Sequence, residues 1–338
     1  MATNIEYSSS DTDLESLVLC TLPDFGEHGD GVINANLLLA MLKAKNRFIE
    51  VEGGLEFWYG IMTGENSNSK WQGKADDYTV NLQDPLQRLR WDPKVFTDTV
   101  VITNLDKARN KGKAAMKEFA RTLRMQAEST IPNKFNSAFW NAGTIGANEP
   151  DSIPNLVSTT PTTGTIGGLS RSTDVSLQNG LYSTTISDIG SEAGIAAIVQ
   201  LALGQMVTAS DMPDLAVLDH IRYSNLVGYL SSLYRYRPDD KLTAIAPDIE
   251  SLKLGKMTIG PEVLATSLAS SANSITAGYL YLLNTKHLFF KLLSDGNFKW
   301  GTQFERKGAS GVKFLPFEVF CNLCTNLPRA HLVATSLT

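Results

Sequence analysis

The sequence GYLYLLNTKHLFFKLL, residues 278–293, joins two apolar runs through a short polar connection. Short apolar runs that are bounded by polar residues predict buried strands, so we expect one strand within 278–284 and another within 287–293. A third run, VKFLPFEVFCNLC at 312–324, predicts a further strand. The C-terminal part of the chain is therefore expected to be built mainly from strands.

The middle of the chain alternates predicted helices and strands. Residues 190–209 are largely apolar and predict a helix, DLAVLD at 214–219 is typical of a buried strand, and residues 220–233 predict a second helix. This order favours a compact α/β unit over about residues 188–285. The preceding stretch, residues 142–187, is rich in Gly, Ser, Thr and Pro, and predicts loops with short strands.

One long amphipathic helix is predicted at about residues 106–130, after a strand at 95–103. Apolar residues recur there at spacings of three and four, which places them on one face; they are Met116, Phe119, Ala120, Leu123 and Ala127. Asn104 or Asp106 is placed to cap the start of the helix, and Pro132 to end or kink it. Another face is basic, and its candidate contact residues are Lys113, Lys117, Arg121 and Arg124.

Residues 49–92 predict a protruding β-hairpin. Two limbs flank the polar tip GENSNSKWQG at 64–73, and such a tip is typical of a hairpin. The limbs are too polar to bury a core of their own, yet they are rich in aromatic residues. Aromatic side chains on a protruding loop favour contacts between subunits, and packing on the parent domain is the alternative. The candidate contact residues are Phe57, Trp58, Tyr59, Trp71 and Tyr78.

The N-terminal segment differs in charge from the rest of the chain. Residues 1–30 carry seven Asp or Glu and no Lys or Arg, so their charge of −7, subtracted from the chain's −5, leaves +2 elsewhere. We expect a flexible acidic arm there, followed by a short helix at 32–48. The arm either contacts the basic helix face, within or between subunits, or the two are solvated separately.

Composition favours a soluble globular protein. Of the 338 residues, 43% are hydrophobic and 19% charged, which excludes disordered and collagen-like polymers. We find no apolar stretch that is long enough to span a membrane, and the acidic N-terminus does not resemble a secretory signal. Three cysteines predict a reducing, intracellular compartment and no disulfide framework. A net charge of −5 argues against a surface built wholly for nucleic acid.

The sequence contains no recognisable motif for catalysis or cofactor binding. It has no GxxxxGK[ST] phosphate loop, no dinucleotide fingerprint and no HExxH pair. His220 follows a predicted strand, where a catalytic base can lie, but no partner is identifiable. Cys321 and Cys324 have CxxC spacing without two further ligands nearby. We therefore expect no enzymatic activity, no cofactor and no metal, and favour a structural or binding protein.

Several short signatures occur in an order that resembles a known family. The aromatic limb at 57–59 with its return to 90–91 is similar to that family's extended loop, and the Asn-Lys-Gly at 110–112 to the start of its spine helix. GGLSR at 167–171, MPDL at 212–215 and YLLNTKHL at 281–288 follow. Together they resemble the major capsid proteins of tailed bacteriophages (Caudoviricetes), which have the Hong Kong 97 fold. The sequence departs from this pattern at 175–178, where many relatives have aromatic residues.

The resemblance implies an α+β fold of the Hong Kong 97 type. Its parts would be an N-terminal arm and short helix (1–48), an extended β-hairpin or E-loop (49–92), a peripheral domain with a spine helix at about 106–130 (93–187), an α/β axial domain (188–285) and return strands (286–338). The implied function is self-assembly, as pentamers and hexamers, into an icosahedral shell around double-stranded DNA. The implied partners are further copies and scaffold, portal and decoration proteins, without sequence-specific DNA binding or a membrane; the implied location is the virion, assembled in the host cytoplasm.

Two other functions stay open at this stage. An encapsulin-like compartment would keep the fold but hold a cargo enzyme. An α/β enzyme with a site scattered along the sequence would have a deep polar pocket near His220, with a carboxylate within hydrogen-bond reach.

Overall fold

The computed structural model describes residues 37–64, 66–74, 76–78, 80–82, 84–109, 119, 122–123, 126, 130–131, 133–141, 148–205, 211–233, 252–254, 256–261, 275–300, 304–305 and 312–338. The predicted acidic arm and all four residues of the predicted basic face lie outside these residues.

The helices within the described residues are α1 (Leu37–Ala44), α2 (Asn104–Arg109), α3 (Ile153–Leu156), α4 (Glu192–Gly204) and α5 (His220–Leu233). Further helical residues lie at 119, 122–123, 126, 130–131 and 133–139. Single 3-10 turns occupy Val175–Leu177, Thr285–His287, Ser294–Gly296 and Pro328–Ala330. Among the described residues, no helix is both long and apolar enough to cross a membrane.

The strands are β1 (Phe48–Val51), β2 (Phe57–Met62), β3 (Leu86–Trp91), β4 (Lys94–Thr103), β5 (Thr165–Ile166), β6 (Leu169–Ser170), β7 (Gly180–Tyr182), β8 (Leu215–Leu218), β9 (Leu252–Leu254), β10 (Met257–Pro261), β11 (Leu280–Leu283), β12 (Leu288–Leu293), β13 (Lys299–Trp300), β14 (Phe304–Glu305), β15 (Val312–Thr325) and β16 (Leu332–Ala334). The strands predicted at 95–103, 278–284, 287–293 and 312–324 are confirmed as β4, β11, β12 and β15.

The first sheet is organised around the long strand β15. Its first ten residues pair antiparallel with β4, from Val312↔Thr103 to Cys321↔Lys94. Its last residues pair antiparallel with β12, and β1 lies parallel to β12 on the far side. Strands β13 and β14 also pair with β15. The connection at 284–287 therefore joins two sheets. The apolar run before it, β11, belongs to the second sheet, and the run after it, β12, belongs to the first.

The second sheet has the order β7-β16-β11-β8-β10-β9. Strand β8 is buried on both faces: Val217 packs in the core shared with the first sheet, and Leu218 packs against a second cluster that includes residues of α4 and α5. A strand covered on both faces needs a continuous apolar run, which explains DLAVLD. The predicted helices at 190–209 and 220–233 are confirmed as α4, whose N-cap is Ser191, and α5.

The helix that follows β4 begins with a reciprocal cap. The Asp106 carboxylate accepts hydrogen bonds from the Thr103 backbone N–H (3.2 Å) and hydroxyl (2.6 Å), while the Asp106 N–H donates to the Thr103 hydroxyl (3.2 Å). These bonds lower the pKa of Asp106. Thr103 is thus the capping residue, where the sequence had suggested Asn104 or Asp106. Farther on, Phe119 and Leu123 pack against a buried cluster of β4 and β15 residues, as the apolar stripe predicts.

The hairpin is shorter than the sequence suggests. β2 and β3 form an antiparallel ladder of six residue pairs, from Phe57↔Trp91 to Met62↔Leu86. The described residues between Met62 and Leu86 form no strand. This intervening stretch is polar, and its apolar side chains, among them Trp71 and Tyr78, are exposed. They find no surface within the described subunit against which a longer ladder could pack.

Candidate assembly surfaces

The β2–β3 hairpin has one face turned into the subunit and one turned to solvent. Phe57 is only 2% exposed and lies in the main core with Leu89 and Trp91. The next residue, Trp58, is 57% exposed, because successive side chains of a strand point to opposite faces. Of the predicted contact residues, Phe57 therefore belongs to its own subunit's core, whereas Trp58 is available to a partner.

The exposed hairpin face is apolar with a basic margin. Met62 and Leu86 are paired across the ladder, and both are exposed. The Arg88 guanidinium lies over the Trp58 ring, 5.1 Å from its centroid, a cation–π contact between the two strands. In the tip, Trp71 and Tyr78 are exposed as well. Large apolar side chains that are exposed close together are typical of a protein–protein contact.

A tight turn holds the root of the hairpin at strand β3. β5 and β6 are joined by Gly167 and Gly168, whose φ angles are 53° and 79°. The Gly167 carbonyl accepts a hydrogen bond of 2.9 Å from the Arg90 N–H. A Cβ at Gly167 would lie 3.0 Å from the Leu89 side chain. Positive φ and close approach together require glycine here, which accounts for the Gly-Gly of the sequence signature.

An aromatic and cationic cluster holds the buried face of the root. Tyr59 stacks on Phe289 of β12, with ring centroids 5.1 Å apart. The Lys291 ammonium lies 3.9 Å from the Tyr59 ring centroid, and burial lowers its pKa. Burial likewise raises the pKa of Tyr59. Tyr59, predicted as an intersubunit contact, thus mainly fixes the hairpin to the sheet of its own subunit.

Arg171, from the GGLSR signature, is a buried cation held by neutral oxygens. One terminal nitrogen donates to the carbonyls of Asn155 (2.7 Å) and Leu156 (2.9 Å), at the end of α3. The other donates to the Leu177 carbonyl (3.3 Å) and the Asn179 side chain (3.1 Å). Burial lowers its pKa to about 10, so it stays charged at neutral pH. Arg171 therefore ties the end of α3 to the segment at 177–179.

A polar junction connects the two sheets at the Asn-Thr-Lys-His crossover. The Asp211 carboxylate accepts hydrogen bonds from Asn284 (2.9 Å), Lys286 (3.1 Å) and His287 (2.8 Å). Burial acts to raise its pKa, but these three bonds outweigh burial and lower the pKa to about 2. Asp214 accepts from the Thr285 N–H at 2.8 Å. The junction fixes how the chain passes from β11 to β12.

His331 supports this junction as a neutral imidazole. Its Nδ1 accepts a hydrogen bond of 3.2 Å from the Asn284 N–H, so that nitrogen carries no proton. Nε2 therefore carries the proton and donates to the Thr325 hydroxyl at 3.1 Å. That hydroxyl in turn donates to the His287 carbonyl at 2.8 Å. Burial, together with the nearby His287, lowers the pKa of His331 to about 3.

Neither a family model nor a curated protein matches the sequence. Solved structures do match. The capsid asymmetric unit of cyanophage A-1(L) aligns with a TM-score of 0.58 and 12% identity, covering 87% of this chain and 91% of that one. The capsid of the empty GTA particle gives 0.52 and 10% identity, over 88% and 90% of the two chains. The capsid of Myoviridae phage XM1 gives 0.51 and 10% identity, over 87% and 91%.

The chain has the fold of phage capsid proteins. This mixed α+β capsid fold extends over nearly the whole length of both chains in each comparison, so the predicted recognition is confirmed at the level of fold. The three matched structures are all capsids.

The structure places the residues considered for catalysis and metal binding in separate elements. His220 is exposed at the start of α5, and Asp219 beside it pairs with Arg222 at 2.9 Å. Cys321 and Cys324 are buried within β15, and burial raises the pKa of Cys321 to about 12. Within the described ranges, no three His, Cys, Asp or Glu side chains are grouped so that they could hold a metal ion.

Sequence reasoning did not find the positioning roles of Lys291, Asp211 and His331. The sequence does contain a sign of the role of Lys291, because a lysine inside the apolar run LFFKLL needs a partner when it is buried. Asp211 and Asn284 are separated by 73 positions, and a single sequence has no feature that joins them.

Proposed function

We propose that the chain is the shell-forming subunit of a virus particle. Copies would assemble as pentamers and hexamers into an icosahedral shell that encloses double-stranded DNA without reading its sequence. The observation that carries this proposal is the near full-length capsid fold, in which the β2–β3 hairpin presents an exposed apolar face. A subunit of this kind catalyses nothing and needs no cofactor.

Within this proposal, the hairpin is the E-loop and the helix that begins at Asn104 is the spine helix. Supporting this assignment, the β5–β6 turn and the Tyr59 cluster hold the hairpin root on its own subunit, while the other face and the tip of the hairpin are exposed. Burying one large apolar side chain contributes about 1.5–3 kcal/mol, so Trp58 and Trp71 together supply enough for a strong contact between subunits. The proposed location is the virion, after assembly in the host cytoplasm. Scaffold, portal and decoration proteins are proposed as further partners.

The basic helix face, from Lys113 to Arg124, is proposed to meet the acidic segment at residues 1–30. Support for this comes from their opposite charges. An encapsulin-like compartment is not favoured, because the capsids of phages and of a GTA particle provide the structural matches above.

The first experiment is sedimentation velocity and electron microscopy of the purified chain, alone and with a candidate scaffold. We expect rings of five or six subunits, or closed shells. A folded species near 36.9 kDa that never assembles at high concentration, with or without a scaffold, would contradict the proposal. Shells that contain a host enzyme and no nuclease-protected DNA would instead support the compartment.

A matched pair of variants tests the role of the hairpin. Replacing Trp58 and Trp71 together by Ala should leave the free energy of unfolding within about 1 kcal/mol of the wild type. The concentration needed for assembly should rise about a hundredfold or more, since about 1.4 kcal/mol is a factor of ten. Phe57→Ala, on the opposite face of the same strand, should instead lower the free energy of unfolding by about 3–5 kcal/mol. Equal loss of folding in both variants would contradict the assignment.

A further inference from the structure

Two cations at the hairpin root have no negatively charged partner. Lys291 is only 8% exposed, and Arg47, just before β1, is half-buried. Neither side chain forms an ion pair or a hydrogen bond with any residue that the structure describes. Both contact aromatic rings instead: Lys291 lies over Tyr59, and the Arg47 guanidinium lies 5.5 Å from the Phe289 ring centroid. Such contacts recover only part of the free energy lost when a charge leaves water.

Two buried hydrogen-bond donors in the same place are unused. The Arg47 Nε and the Tyr59 hydroxyl are both buried, and neither has a hydrogen-bond partner within the described part of the chain. They lie close together because the Arg47 guanidinium and the Tyr59 ring both pack on Phe289. Burial raises the pKa of Tyr59, and the nearby Arg47 acts against this rise. An unpaired buried donor is costly, so these donors need an acceptor. We refer to Arg47, Tyr59 and Lys291 as the root cation cluster.

The nearest acidic groups on neighbouring strands do not neutralise the cluster. Ile49 of β1 is the register partner of Lys291, so the next residue, Glu50, points to the opposite face of the sheet. There its carboxylate accepts a hydrogen bond from Asn297. On the other side of β12, burial raises the pKa of Cys324, which is therefore a neutral thiol at neutral pH. The described residues thus leave the cluster with two positive charges and two free donors.

We propose that the root cation cluster binds a small oxyanion of the phosphate class. The ligand supplies what the cluster lacks, namely negative charge and several acceptor oxygens. The planar guanidinium of Arg47 suits a tetrahedral oxyanion, the Tyr59 hydroxyl donates a further hydrogen bond, and Lys291 contributes charge from beneath the ring. Arg47 and Tyr59 are only half-buried, so a small anion can reach the cluster from the surface. This site belongs to the single subunit and does not rest on the proposed function.

A bound anion would join three elements at the hairpin root. Arg47 is fixed just before β1, because its N–H donates to the Leu42 carbonyl (2.8 Å) and its carbonyl accepts from the Phe290 N–H (3.0 Å). Tyr59 lies in β2 and Lys291 in β12. An anion held between them ties the hairpin to the first sheet, and a ligand that binds only the folded state stabilises it. Phosphate is therefore expected to slow amide hydrogen exchange in β2 and β3.

A phosphate titration of the unassembled full-length chain tests the site. The melting temperature is followed at pH 7.5 while sodium phosphate replaces sodium chloride at constant ionic strength. Phosphate also stabilises proteins in general, because it is excluded from their surface, and that effect grows with concentration without reaching a plateau. Binding at the root cation cluster should instead give a rise in melting temperature that begins at low concentration and follows a saturation curve. The half-saturation concentration is the quantity to compare between variants.

Three variants decide whether the response comes from this cluster. Arg47→Gln removes one charge, and Tyr59→Phe removes only the hydroxyl and keeps the ring that packs on Phe289. Each should raise the half-saturation concentration at least about tenfold, as expected when a hydrogen bond to a charged group is lost. Arg88→Gln, which removes a cation from the exposed face of the hairpin, should change it less than about twofold. A rise without saturation in the wild type, or equal half-saturation in all four proteins, would overturn the inference and leave the proposed function standing.

Discussion

Lowering the pH from 7 to 5 should weaken the folded subunit through one buried imidazole, that of His331. In the folded state its Nδ1 accepts the Asn284 N–H, and a proton on Nδ1 would place two donors against each other. The pKa of His331 is accordingly lowered from the ordinary 6.5 to about 3. Below pH 6.5 the unfolded chain takes up a proton that the folded chain refuses, so stability falls as the pH falls.

The size of the effect follows from proton linkage. Each pH unit well below 6.5 costs about 1.4 kcal/mol, and integration from pH 7 to 5 gives a loss of about 2 kcal/mol. The loss depends only on the folded pKa lying well below 5. Asp211, with its pKa lowered to about 2, stabilises the fold above its ordinary value of 3.8 and loses this contribution only in stronger acid. It therefore does not contribute to this window.

Urea unfolding of the unassembled subunit, followed by tryptophan fluorescence, measures the effect. His331→Gln retains an acceptor for Asn284 and a donor for Thr325 but does not titrate. This variant should be less stable at pH 7, and it should lose about 2 kcal/mol less than the wild type between pH 7 and 5. Between pH 7.5 and 8.5, where the imidazole is neutral in both states, the difference between the two proteins should stay constant. Equal losses in both proteins between pH 7 and 5 would refute the reasoning.

Two further variants test the anchors of the hairpin root. Arg171→Lys should lower the free energy of unfolding by about 2–4 kcal/mol, because one ammonium cannot reach both pairs of oxygens. The control Arg329→Lys, at an exposed position, should change the free energy of unfolding by less than about 0.5 kcal/mol. Similar values for the two variants would contradict the role of Arg171. Gly167→Ala should lower the free energy of unfolding, measured by heat or urea, by about 2–3 kcal/mol. Gly168→Ala should lower it by only about 1 kcal/mol, because a Cβ at Gly168 meets no atom within 4 Å. Equal losses would show that the contact of Gly167 with Leu89 is unimportant.

Much of the fold could be predicted because its elements are periodic. The bounds of α5 follow from the sequence directly, and β4, β8, β11, β12 and β15 lie where apolar runs predict them. The hairpin was predictable from its polar tip. The strand period also predicts that Phe57 and Trp58 point to opposite faces of β2. This alternation predicts that only one of the two can be an exposed contact residue.

The positioning contacts could not be predicted in this way. Arg171 binds oxygens from Asn155, Leu156, Leu177 and Asn179, which lie in a four-residue helix, a single 3-10 turn and a loop, all too short to show a period in the sequence. The parallel pairings β1–β12 and β8–β10 join distant parts of the chain. Such contacts depend on tertiary geometry, which a local pattern does not contain. The sequence likewise predicts aromatic contact residues in the hairpin without telling which ones its own subunit buries.

The ladder between β4 and β15 has a mechanical consequence. A pull on β4 along its own axis, delivered through the hairpin that precedes it, loads all the rungs from Val312↔Thr103 to Cys321↔Lys94 in shear at the same time. A pull at right angles to the strands would break the hydrogen-bonded pairs one after another. The β4–β15 ladder therefore resists a pull along β15 better than a pull across it.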